Sequence, residues 1–266
     1  EAGDVYQACL THRLERAAPA DPWRIYTELR RHSPAPFAAY LELPDGCVLS
    51  SSPERFLRVD GSRRVETRPI KGTRPRGETP SADAKLRAEL VDSAKDRAEN
   101  VMIVDLARND LGRVCETGSV VVEELCAVET YATVFQLVST VSGRLAPGLD
   151  AVDAVRAAFP PGSMTGAPKL AAMRLLDALE PDPRGLYAGA LGYFDVRGGA
   201  DLAVTIRTIF LSRGLASLHV GGGVVADSDP HGEHRESLDK AEALLSALRA
   251  ADEGMGTRPE PPGGDA

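Results

Sequence analysis

Apolar residues recur along this chain with two periods, one helical and one of strands. Leu238, Ala241, Leu245 and Leu248 follow Asp229-Pro230 at helical spacing and predict a helix to about Arg249. Asp21-Pro22-Trp23 opens a shorter helix to about Arg31, with Asp21 as N-cap and Pro22 at the first helical position. Leu86, Leu90, Ala94, Val101 and Val104, at spacings of 3, 4 or 7, predict a mostly helical stretch over 83–111. Asp150 to Ala158 and Ala167 to Leu179 read as helices on either side of a Gly/Pro loop. Strands are predicted over 4–16, then from Phe37 to Glu42 and from Cys47 to Ser51, the last two joined by the hairpin turn Pro44-Asp45-Gly46. A second hairpin runs from Arg55 to Val59 and through Asp60-Gly61-Ser62 to Val65. Ser119 to Leu125 reads as a buried strand, and Gly189 to Val196, Leu202 to Phe210 and Leu215 to Val225 complete the set. Hairpins and helices without regular βαβ alternation predict an α+β fold with largely antiparallel sheet. Residues 252–266 carry almost nothing apolar and predict a disordered tail.

Composition narrows the function classes. A net charge of −8 over 266 residues argues against a nucleic-acid-binding surface. Cys9, Cys47, Cys115 and Cys126 are scattered without a C-x-x-C pair, which points to a reducing, cytoplasmic setting rather than a disulfide scaffold. No apolar run is long enough to predict a membrane span. The sequence begins at Glu1 rather than Met, as a fragment or a processed form would.

Candidate chemistry centres on Arg68-Pro69-Ile70-Lys71-Gly72-Thr73-Arg74-Pro75-Arg76-Gly77. Pro69, Gly72, Pro75 and Gly77 predict a turn that presents Lys71, a candidate nucleophile, and the flanking arginines would attract an anionic substrate. Glu54 ends a hairpin just before an apolar strand, and Glu99 lies on the polar face of a helix. Glu233 and Glu236 are one helical turn apart, so with Glu99 from another helix they could hold Mg²⁺ through oxygen ligands. Taken singly, these carboxylates also read as a solvated helix face or as complements to a helix dipole. His231 and His234 bracket Glu233, but with no other His or Cys cluster nearby they do not make a zinc site. Pro160-Pro161-Gly162-Ser163-Met164-Thr165-Gly166-Ala167-Pro168-Lys169 reads as an anion loop leading into a helix, without P-loop spacing. Gly221-Gly222-Gly223 would let a ligand approach the backbone closely. Arg207, read as mid-strand on a face with Thr205 and Ile209, would want an anionic partner or a structural ion pair.

Together these segments resemble the chorismate-utilising enzymes. The residues that carry the likeness are Ser52-Pro53-Glu54-Arg55-Phe56, Pro69-Ile70-Lys71-Gly72-Thr73, Asp96-Arg97-Ala98-Glu99-Asn100 and Asp105-Leu106-Ala107-Arg108-Asn109-Asp110-Leu111-Gly112. Gly162-Ser163-Met164-Thr165-Gly166-Ala167-Pro168-Lys169, Ile206-Arg207-Thr208 and Gly221 to Ser228 follow in the family's order. The resemblance implies antiparallel sheets packed as a sandwich with flanking helices, and a chorismate-binding catalytic domain over 1–251. It implies Mg²⁺ on Glu99 and Glu236 with Glu233 close by, and Ser163 in the pocket. Tyr187, Arg207 and the backbone of Gly221, Gly222 and Gly223 would hold a substrate carboxylate.

Within that family, anthranilate synthases carry alanine where this chain has Lys71, and a histidine where it has Gln136. Lysine there, and Gly-Ser-Met-Thr-Gly from Gly162, resemble the branch that aminates chorismate at C4 on the route to p-aminobenzoate, with a folate or specialised product. Ammonia would come from a partner glutaminase, since the chain carries no recognisable glutaminase motif. The rival expectations are anthranilate synthesis, separated by its aromatic product, and a non-catalytic chorismate-binding or glutaminase-scaffold remnant. Cys9 and His12 stand where many relatives have Asn and Gln, and relatives carry a long segment before Gly3 that is missing here.

Overall fold

The computed structural model describes residues 3–18 and 21–253. In chain order the elements are β1 (Gln7–Ala17), α1 (Pro22–His32), β2 (Phe37–Leu43), β3 (Gly46–Ser52), β4 (Arg55–Val59), β5 (Arg64–Thr67), β6 (Ile70–Pro75), α2 (Pro80–Asp92) and α3 (Ala94–Gly112). They continue with β7 (Val121–Thr130), β8 (Val134–Arg144), α4 (Ala151–Ala158), α5 (Gly162–Thr165), β9 (Gly166–Ala167) and α6 (Lys169–Leu179). The chain closes with β10 (Ala190–Phe194), β11 (Ala200–Val204), β12 (Thr208–Ser212), β13 (Leu215–Val224) and α7 (Pro230–Glu253). Every pairing between these strands for which a register is given is antiparallel, so the α+β reading holds.

The chain divides into two compact units. The first comprises 1–10, 54–205 and 223–228. Its sheet runs β10-β11-β4-β5-β8-β6, with β7 also paired to β8. Helix α3 is tied to β8 by the fully buried Asn100, whose Nδ2 donates to Leu137 O at 3.1 Å and whose Oδ1 accepts the Ser139 hydroxyl. Ser139 Oγ also accepts from Cys126 N at 2.8 Å, so no polar atom of this cluster is left dry. Leu90, Phe135 and Leu137 pack around it.

The second unit comprises 11–53, 206–222 and 229–266. Its strands run β2-β3-β12-β13-β1. Ile25 and Leu29 of α1, Leu49, Ile209 and Leu218 of the sheet, and Ala241, Leu244 and Leu248 of α7 form one core. The α7 stripe is therefore turned slightly from the expected one: Leu244 and Ala247 are fully buried, while Leu238 is 42 % exposed.

Four sequence expectations are corrected and one is sharpened. The stretch read as mostly helical over 83–111 is so, in two pieces, α2 and α3, parted at Ser93, whose hydroxyl caps α3 by accepting from Asp96 N at 3.2 Å. The strand expected from Leu202 to Phe210 is two, because the chain leaves the first unit after Thr205 and Arg207 turns to φ +51°. Arg207 thus sits between strands, not in the middle of one. The segment from Ile70 to Pro75 is a strand rather than a turn. Strand β7 starts at Val121 and its first five residues are exposed, so it is not the buried strand expected from Ser119. The tail expected over 252–266 begins inside α7, and residues 254–266 lie outside the described residues.

Candidate active site

The first unit brings Glu54, Lys71 and Ser163 together. Glu54 lies just before β4, where its carbonyl accepts from Val204 N at 3.0 Å. Its residue is only 6 % exposed. Burial penalises the carboxylate and pushes the Glu54 carboxyl up to about 7, although the Ser163 hydroxyl, the Lys71 ammonium and the Ile70 N–H all favour the charged form. Ser163 Oγ is itself buried and makes no hydrogen bond of normal geometry, so its effect on Glu54 is that of an adjacent hydroxyl with no better partner. A small cavity of about 30 Å³ lies against Glu54, Thr67, Pro69, Asp110 and Ser163. That is room for about one water.

Lys71 projects from a bulge. Pairing with β8 jumps from Ile70↔Val138 to Thr73↔Gln136, leaving one extra residue on β6. Gly72 absorbs it at φ +87°, and a Cβ there would lie 2.9 Å from Asp96 Cβ. Only glycine fits both demands. The bulge re-aims Lys71 while its flanks stay in the sheet, a firmer mount than the predicted turn. Gln136, buried on β8, faces Thr73 in the same register.

The expected metal ligands divide between the units. Glu99 belongs to the first, with Lys95 Nζ at 3.9 Å. Glu233 and Glu236 belong to the first two turns of α7 in the second, where Lys240 Nζ pairs with Glu236 Oε1 at 2.7 Å and donates to Gly221 O at 3.0 Å. A Cβ on Gly222 would stand 3.1 Å from Glu233 Oε2, so glycine leaves that carboxylate its space. The donors are all carboxylate oxygens, the ligand type a hard divalent cation such as Mg²⁺ takes. Among the described residues no ready-made group of three or more His, Cys, Asp or Glu side chains is present. Arg207 also lies in the second unit, its carbonyl accepting from Ser51 N at 3.0 Å. Tyr187 lines a different and larger pocket of the first unit, about 470 Å³. The segment from Pro160 to Lys169 leads into α6 as expected, but Ser163 itself sits in the one-turn α5, and the residue at the α6 cap is Pro168, which has no N–H.

A family model for chorismate binding enzymes matches residues 1–246. The chain belongs to the chorismate-binding enzyme family. It is 57 % identical over 252 residues to aminodeoxychorismate synthase of Streptomyces pristinaespiralis, covering 95 % of this chain and 35 % of that protein. It is 48 % identical over 252 residues to anthranilate synthase component 1 of Streptomyces coelicolor, covering 94 % of this chain and 49 % of the relative. Anthranilate synthase component I from Streptococcus pneumoniae superposes with a TM-score of 0.83 at 38 % identity, over 91 % of this chain and 53 % of that one. The chain thus spans about a third to a half of the length of these relatives.

One further candidate in this member of the chorismate-binding family was missed in sequence. Gln7 on β1 is 2 % exposed, yet neither Nε2 nor Oε1 has a hydrogen-bond partner among the described residues. A Cβ on Gly223 would fall 1.7 Å from Gln7 Nε2, and one on Gly166 would fall 2.1 Å from Gln7 O. Both glycine segments read as ligand loops therefore close on this one residue. The absence of a side chain at Gly166 and Gly223 was the only sequence signal, and it does not name its neighbour. No helix of the described residues is long and apolar enough to cross a membrane.

Proposed function

We propose that this chain is the chorismate-binding part of an aminodeoxychorismate synthase, replacing the C4 hydroxyl of chorismate by an amino group. The observation that carries this reading is Glu54, buried beside Lys71 and held near neutrality. Hydroxide is a poor leaving group, and a carboxyl with a value of about 7 keeps its proton in about half of the molecules at pH 7. An amine and an acid in one site allow two steps. The Lys71 amine, as the free base, adds to C2 of the ring, the double bond shifts, and the C4 hydroxyl leaves as water with the Glu54 proton. Ammonia then adds at C4, the double bond shifts back, the C2–Lys71 bond breaks, and the proton released by the ammonium returns to Glu54. The ring stays non-aromatic and the enol-pyruvyl group is kept. Two allylic displacements replace one hard one.

Gln7 supports the choice of ammonia. A carboxamide with both its donor and its acceptor unmet needs a neighbour that donates and accepts, which ammonia does and a carboxylate does not. Mg²⁺ on Glu99, Glu233 and Glu236 would supply positive charge for a substrate carboxylate. Arg207, Tyr187 and the Gly221 to Gly223 backbone are proposed for the other carboxylate, and a glutaminase subunit or domain for the ammonia. The test is to withhold ammonia from protein with chorismate and Mg²⁺. A transient mass increase is expected on the Lys71 peptide, lost in Lys71→Ala. A Lys71→Ala variant that aminates at the wild-type rate would remove the covalent route.

A further inference from the structure

We propose that Arg184 is a positioning residue that fixes Ser163 against Glu54. The guanidinium is the meeting point of three segments of the first unit. Its Nη1 donates to Met164 O at 2.6 Å, next to Ser163 in the chain, and its Nη2 donates to Cys9 O at 2.7 Å, two residues after Gln7. Its Nε and Nη2 both reach the Glu180 carboxylate at 2.7 Å. The side chains of Arg184 and Glu180 are 19 % and 8 % exposed. A planar fork with its charge matched by a buried carboxylate holds its remaining donors in fixed directions. Those donors take the Met164 and Cys9 carbonyls. The Tyr187 N–H closes a turn onto Arg184 O at 3.0 Å, so the same residue also sets where Tyr187 begins.

A second cation holds the ends of the same loop. Lys169 Nζ donates to Ala158 O at 2.7 Å and to Asp110 Oδ2 at 2.6 Å. The ends are thereby pinned to α4 and α3, β9 pairs with β1 at Gly166 and Ala167, and Arg184 holds the carbonyl next to Ser163 between them. Because α5 is a single turn without a side-chain cap, it has little stiffness of its own.

The inference rests on the site assigned above, but its test does not need turnover. The groups facing Glu54 are Ser163, Lys71 and the Ile70 N–H, with Asp110 across the small cavity. The Glu54 carboxyl is titrated by carbon-13 NMR in the ligand-free protein, in the wild type, Ser163→Ala, Arg184→Lys and the double variant. Arg184→Lys keeps the charge and loses the fork. Losing the Ser163 hydroxyl is expected to raise the Glu54 titration, and Arg184→Lys to raise it in the same direction, with the double variant no higher than Ser163→Ala alone. An unmoved Glu54 in folded Arg184→Lys, or full additivity in the double variant, overturns the proposal. If Arg184→Lys does not fold, Glu180→Gln loosens the same fork and carries the same two outcomes. Where chorismate turnover is measurable, kcat/KM should fall about 10-fold or more in Arg184→Lys, since a small misplacement at a reacting centre is costly. If the wild type does not aminate chorismate, the titration still decides the role of Arg184.

Discussion

Glu54→Gln is the most informative perturbation of this site, because one side chain governs both stability and chemistry. The carboxyl moves from an ordinary value of 4.5 to about 7 on folding. At pH 7 an ordinary glutamate is protonated in about 1 molecule in 300, whereas this one is protonated in about half, a gain of about 150-fold in available acid. The same displacement corresponds to about 3 kcal/mol. Its sign follows from the folded state holding the proton more tightly than the unfolded state. The favourable contribution is complete below pH 4.5, falls as pH rises towards 7, and is absent above it. Between pH 5 and pH 8 wild-type stability should therefore fall by about 2.5 kcal/mol from this group alone. Glutamine keeps the shape and has no proton to lose. The assay is urea unfolding of wild type and Glu54→Gln at both pH values. The variant is expected to gain on the wild type by about 2.5 kcal/mol between them, while turning chorismate over slowly with its binding retained. A stability difference independent of pH would mean that Glu54 is not a buried acid, and unchanged turnover with an unchanged pH profile would remove it from the mechanism.

Lys71→Arg, which keeps charge but is a poor nucleophile, should lose amination about as completely as Lys71→Ala; activity preserved in the arginine variant would make the lysine an electrostatic group only. Glu99→Gln and Glu236→Gln should each raise the Mg²⁺ needed for half-maximal activity by about 10-fold or more, read by Mg²⁺ titration against a chelated control, and a normal response at limiting Mg²⁺ would strike that residue from the ligand set. Gly223→Ala places a Cβ 1.7 Å from Gln7 Nε2 and should displace that amide, at a cost of about 1–3 kcal/mol. Ammonium KM should then rise more than chorismate KM; equal changes in both would argue that Gln7 does not receive ammonia.

Much of the fold was legible where local chemistry and tertiary context agree. Asp21-Pro22 caps a helix as expected, because a side-chain acceptor and a fixed φ act within a few residues, and the helix read from Asp150 starts there with Asp150 as its cap. The Pro44-Asp45-Gly46 hairpin holds for the same reason. Ser93 was missed although Ser93-Ala94-Lys95-Asp96 is a capping pattern, because the apolar positions on either side continued the helical spacing. Strand β6 was read as a turn from its prolines and glycines. Those residues serve instead a bulge whose existence depends on β8, more than sixty positions away in sequence. The break at Arg207 has no local signal at all, since Val204-Thr205-Ile206-Arg207-Thr208 is a run of strand formers, and only the passage of the chain between units ends it. At the site, Glu54, Lys71 and Ser163 carried recognisable motifs and the structure places them together. Gln7 and Arg184 act through contacts with backbone and glycine, which a sequence does not display.

The central claim is that ammonia replaces the C4 hydroxyl while the ring stays non-aromatic and the pyruvyl group is kept. Incubation of the protein with chorismate, Mg²⁺ and nitrogen-15 ammonium, followed by mass and ultraviolet analysis, tests it directly. The account predicts one labelled nitrogen in a product that retains the enol-pyruvyl carbons and shows no anthranilate fluorescence. Release of pyruvate with a fluorescent aromatic product, or recovery of bound but unaltered chorismate, would contradict it.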